Sequence, residues 1–330
     1  MEYWLPVFYM AAMGLALLVY VILDGYDLGI GMLLPLAEES EKDVMVASIG
    51  PFWDANETWI VLGVGILLIA FPIAHGIVLT HLYLPVTIML MGLILRGVAF
   101  DLRVKAGDHR RTLWNRAFFI GSTVAACAQG WMLGSYITGL EDSTLSLVFS
   151  VLTAATLPAL YLVLGCGWLL IKTEGRLLDR AIGWARAAVW PMGLGLLVVS
   201  IATPIVSQTI ADKWFSLPNF LWLAPIPVIT SLLYLGLLLM LRRDELLQGS
   251  RNWLPFAAVI LICLMAGLGL AYSLFPDIVM NRMTIWEASA SVKSLQFTLV
   301  GVVITLPAIL VYTLFVYRVF RGKATTLSYD

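Results

Sequence analysis

The chain has 330 residues, 61% hydrophobic and 12% charged, with a mean hydropathy of +0.92 and a net charge of −1. Soluble domains run at roughly 45–50% apolar and about 25% charged, so the composition excludes a soluble globular protein and describes an all-α integral membrane protein. Cys127, Cys166 and Cys263 stand singly in apolar stretches, which points to core packing and excludes CxxC, CxxCH and disulfide chemistry.

A spanning helix needs about 20 mostly apolar residues. Nine stretches meet that ruler, at about 6–35, 51–72, 77–96, 117–137, 146–171, 187–207, 219–241, 254–275 and 295–317. All fall in one membrane domain covering 1–330. The first has no basic residue ahead of it and no small-residue cleavage site, so it is expected to stay as a helix rather than act as a signal peptide. Pro72 and Gly76 predict only a short turn between the second and third spans. Basic residues orient the bundle, because loops facing the cytoplasm are enriched in them. With an odd number of spans, all Lys and Arg except Lys213, Arg282 and Lys293 fall on one side. The amino terminus is therefore expected in the periplasm and the carboxyl terminus in the cytoplasm.

The first span ends in DGYDLGIG. From Pro6 to Asp24 is about 27 Å of helix at about 1.5 Å per residue, which puts Asp24 and Asp27 near the cytoplasmic end. Three residues apart, they share a helical face, and two such carboxylates in a poor solvent do not both ionise readily. One of them is expected to hold a proton, which suits a relay. The plain alternative is a frayed helix end whose acids meet water and cytoplasmic cations. Gly25 and Gly29 form a GxxxG pair that Gly31 extends, so another backbone is expected to approach beside the acids. The stretch lacks the oxygen ligands and terminal Glu of an EF-hand, and its acids would repel a phosphate.

GPFWDANETW opens the second span, with Pro51 at a first helical position. Asp54 and Glu57 share one face in the early turns, where the helix dipole favours negative charge, and Asn56 is expected to point elsewhere. The alternative is that the acids only cap and decorate the helix start. RGVAFDLRVK ends the third span, with Arg96 and Asp101 expected near the same depth. Acids and an arginine thus converge on the cytoplasmic side, an arrangement suited to loading protons from that face.

His75 and His81 flank the outer turn and His109 lies in the basic loop, so none sits deep in an apolar helix as a haem ligand or pairs for a metal centre. The 13 methionines are expected to pack rather than ligate. No phosphate-binding loop, nucleophile with its base or nucleic-acid surface is present; the arginines follow from topology.

DGYDLGIGML, then GPFWDANETWIV, LILRGVAFDLR and, late in the chain, SLFPDIV and TIWEASAS strongly resemble subunit II of cytochrome bd quinol oxidase. The blocks run from the first span to the last, and DANETW with the short length looks like the cyanide-insensitive branch. The longer form reads PHWDGN, so Phe52 stands where that form has histidine, and no role of that histidine carries over.

The resemblance implies a bacterial inner-membrane complex that oxidises quinol and reduces oxygen to water. Haem b, haem d and the quinol-oxidising loop then belong to a partner, subunit I, and this chain ligates neither haem nor metal. It also implies two four-helix bundles plus one extra helix, and it leaves open small accessory subunits and a structural quinone. On this basis Asp54, with Asp24 and Asp27, is expected to pass protons toward subunit I, supported by Asn56, Glu57, Arg96 and Asp101. Trp59 is expected to line a route for oxygen. Two other functions fit intramembrane acids: a proton-coupled transporter, which would want a site nearer the midplane, and a structural anchor that carries no protons.

Overall fold

The computed structural model describes residues 3–105 and 107–324. Nine helices among them are long and apolar enough to cross a bilayer. The first, α1 (Trp4–Leu33), runs into a 3-10 turn at Leu34–Leu36. A short helix that the hydropathy ruler does not register, α2 (Glu39–Ile49), follows; a capping box of Glu38 and Glu41 starts it. Then come α3 (Trp53–Ala70) and α4 (Pro72–Lys105). The turn expected at Pro72 and Gly76 shrinks to Phe71, at φ −131 and ψ 59, with Pro72 opening α4 and Gly76 inside it.

The chain continues through α5 (Asp108–Ile137), α6 (Thr144–Lys172) and α7 (Gly175–Val206). Here α4 outruns the expected 96, α5 starts before 117 and α7 before 187, because helices carry polar turns beyond the bilayer that an apolar-length ruler cannot see. Two short helices, α8 (Gln208–Phe215) and α9 (Asn219–Leu223), lead to α10 (Pro225–Leu241), and α11 (Asp244–Gln248) leads to α12 (Leu254–Leu274). At the end of the molecule opposite the basic residues, β1 (Asp277–Val279) and β2 (Met283–Thr284) form an antiparallel pair, followed by α13 (Ile285–Ala288). The chain closes with α14 (Val292–Val319).

The packing makes two four-helix groups: α1, α3, α4 and α5 form one, and α6, α7, α10 and α12 the other. They join where α6 lies on α1 and α5, while α14 leans on α3. In lipid no hydrophobic force draws helices together, so close backbone contact must do so. The glycines of α1 supply it as their spacing predicts: a methyl at Gly29 would overlap the Tyr161 carbonyl, and one at Gly165 would lie 2.8 Å from Gly29 C. Gly92 and Gly121 do the same between α4 and α5, where a methyl on Gly92 would lie 2.8 Å from the Gly121 carbonyl.

The basic end is tied by polar contacts as well. Arg103 donates to Asn115 at 2.5 Å and to Asp43 at 2.6 Å, and Arg180 pairs with Glu38 and, at 3.3 Å, with Glu41. Arginines that topology alone explains in the sequence thus also fasten α2 to the bundle.

Candidate functional site

Asp24 and Asp27 are 0% exposed, held inside the bundle where α1 meets α3, α5 and α6. Arg96, 2% exposed, reaches them from α4, its Nη1 2.7 Å from Asp24 Oδ1. Its Nη2 lies 3.9 Å from Glu57 Oε2, and the Glu57 side chain is 32% exposed. The Asp24–Arg96 contact is an ion pair but misses hydrogen-bond angles, so charge rather than directional bonding holds it. Arg96 cannot give up its proton, so it keeps the acids compensated rather than relaying through itself.

On α3 the inward stripe is Ala55, Asn56, Trp59 and Gly63, the spacing of one helix face. Asn56 points away from Asp54, as expected, and the structure adds which of the two turns inward. It is Asn56 that faces the acids and Asp54 that is exposed. Asn56 Nδ2 donates to Asp27 Oδ2 at 2.8 Å. Asp101 is also exposed, about 140° round α4 from Arg96 at about 100° per residue, so it does not share the inward face. Trp59 is buried against Ala16 and Tyr20 beside the cluster.

Three further groups join the acids that the sequence motifs do not mark. Tyr20 lies one turn before Asp24, Gln129 donates to its hydroxyl at 2.8 Å, and Tyr161 donates to Gln129 at 2.6 Å. The 4 and 7 spacing from Tyr20 to Asp24 and Asp27, and a glutamine inside an apolar span, are the signals that could have found them. Tyr26 and Tyr317 complete the polar set around Asn56.

No group of three or more His, Cys, Asp or Glu among the described residues could hold a metal ion. His75 is half-buried near the start of α4, and His81 is exposed with its ring beside the Ile77 carbonyl at 2.9 Å. The side chain of His109 lies outside the described residues.

Fold and cluster together define a multi-pass helical membrane protein with a buried arginine–carboxylate site near its basic end. The model of the family described as cytochrome bd terminal oxidase subunit II matches residues 5–320. The chain belongs to that family. It is 27% identical to the cytochrome bd-I ubiquinol oxidase subunit 2 of Escherichia coli K12, over 94% of this chain and 93% of that one. It is 26% identical to the cytochrome bd ubiquinol oxidase subunit 2 of Bacillus subtilis 168, over 93% of each. Among solved structures, the bd oxidase from Geobacillus thermodenitrificans matches the fold with a TM-score of 0.77 at 18% identity, over 96% of this chain and 98% of that chain.

Proposed function

We propose that this chain is the haem-free subunit II of a quinol-oxidising, oxygen-reducing complex in the bacterial inner membrane. It supports a haem-bearing subunit I and brings protons to it from the cytoplasm. The observation that carries the proton role is the cluster itself: two fully buried carboxylates, one arginine, and Glu57 reaching from Arg96 toward the surface. Burying charge in a bilayer is costly, and an intramembrane ionisable group is by default a functional one.

Under this reading the basic end faces the cytoplasm, and the exposed Asp54 receives protons at the mouth. Glu57 is the next acceptor, and Asp24 and Asp27 share one proton inside, so that the carboxylate left ionised balances Arg96. Haem, when bound in subunit I, supplies the electron transfer and oxygen reduction. This chain's acids bind and move protons. With electrons entering near the outer face and protons from the inside, turnover charges the membrane.

The test is quinol-driven oxygen uptake by the whole complex with Asp24→Asn, Asp27→Asn and Asp54→Asn, beside a reduced-minus-oxidised haem spectrum. Slow turnover with intact haem is the expected result. Normal turnover in all three would sink the relay, and loss of haem would make the cluster a structural anchor.

A further inference from the structure

Asn56 does more than touch Asp27. Its Nδ2 also lies 2.8 Å from the Tyr26 hydroxyl, the Tyr26 and Tyr317 hydroxyls are 2.7 Å apart, and the Tyr317 hydroxyl lies 3.0 Å from Asn56 Oδ1. Counting donors orders these contacts. The amide nitrogen has two N–H donors, used here on Asp27 and Tyr26. Oδ1 only accepts, so Tyr317 donates its single proton there and must accept from Tyr26. Asn56, Tyr26 and Tyr317 therefore form a closed ring in which every donor is used. The reversed amide would set Oδ1 against Asp27 Oδ2 and against the Leu23 carbonyl, which now lies 3.4 Å from Nδ2.

We propose that Tyr317 is a positioning residue for Asp27: with Tyr26 it locks the Asn56 amide so that its N–H faces the Asp27 carboxylate. The proposal rests on the reading of Asp27 as part of the proton route. Tyr317 is itself firmly placed. Its ring packs on Phe52 and Trp168, with centroids 4.8 Å and 5.7 Å away. One turn beyond it, Lys172 donates to the Phe320 carbonyl at 2.5 Å, Lys323 to the Thr173 carbonyl at 2.8 Å, and Ala324 N to the Lys172 carbonyl at 2.8 Å. These bonds clasp the end of α14 to the end of α6.

The charged and titratable groups facing Asp27 are Asp24 and Tyr26 from α1, Glu57 from α3, Arg96 from α4 and Tyr317 from α14. Tyr161 of α6 faces Asp24 instead. Removing the Tyr317 hydroxyl frees the amide to turn without altering any formal charge in this set.

The test uses the whole complex carrying Tyr317→Phe, Tyr26→Phe, both together, and Asp27→Asn. Three readouts are taken: turnover against pH, the haem spectrum, and the infrared carboxyl band that Asp27→Asn abolishes. Each Phe variant is expected to slow turnover about tenfold, or about 1.4 kcal/mol for one hydrogen bond to a charged group, to shift the pH profile and to move the band. The double variant is expected to be no slower than either single one, because either loss opens the ring. Multiplying effects, or an unmoved band with unchanged turnover, would overturn the proposal. Wild-type turnover in Asp27→Asn would remove the proton route, and the band would still decide the ring. Should Tyr317→Phe not assemble, Tyr26→Phe breaks the same ring from α1 and is judged by the same readouts.

Discussion

Replacing Arg96 with methionine takes away the cation that faces Asp24, Asp27 and Glu57 while keeping most of the side chain's apolar bulk. The ion pair is 2.7 Å long between side chains 2% and 0% exposed, so little solvent screens it. Two unit charges about 4 Å apart attract by about 4 kcal/mol at an effective dielectric near 20. Breaking a buried pair by removing one partner costs about 3–5 kcal/mol, which agrees. At about 1.4 kcal/mol per power of ten, Arg96→Met lowers the folded-to-unfolded ratio by roughly two to three and a half powers of ten. Asp24→Leu costs less, since Arg96 keeps Glu57 at 3.9 Å and Asp27 nearby. The double variant costs less than the sum of the two, because the attraction is lost only once. Thermal unfolding of the purified complex, followed by its haem spectrum, reads all three. A wild-type midpoint for Arg96→Met, or shifts that add without remainder, would refute the view that charge holds this site together.

Gly29→Ala drives a methyl into the Tyr161 carbonyl and is expected to cost about 1–3 kcal/mol or to block assembly, whereas Gly14, which has nothing within 4 Å, tolerates alanine; yields and midpoints of the two complexes compare them. Glu57→Gln is expected to slow quinol-driven oxygen uptake more than Asp54→Asn, since protons from water can reach the partly exposed Glu57 directly; the reverse order would place the essential acceptor at Asp54. At the opposite end of the molecule, backbone and side-chain bonds from Thr284, at 2.8 Å and 2.9 Å, hold the Glu287 carboxyl below the usual glutamate range. Its folded value is the lowered one, so the cap is intact above the ordinary range and is lost as pH falls through the lowered value. Protection of the Thr284 and Glu287 amides, measured against the intrinsic exchange rate at each pH, is expected to fall under acid for this reason, and Glu287→Gln is expected to abolish that acid step.

The amino-acid sequence by itself determines the solvent, the nine spans and the contact surface of α1. Span length is a property of one continuous apolar stretch measured against the bilayer, and a GxxxG pair marks a helix face without reference to any partner. It also places Asp24, Asp27 and Arg96 at one end of the bundle, since depth follows from counting residues. Which residues of α3 turn inward was decided only by tertiary structure. Lipid and protein interior are both apolar, so hydropathy cannot say which side of a span faces which, and Asn56 rather than Asp54 meets the acids. Nor does any local pattern bring Tyr317 to Asn56, 261 residues earlier, or Tyr161 to Gln129. Those bonds exist because α14 leans on α3 and α6 crosses α5, and a hydrogen bond depends on position in space, which chain order does not specify.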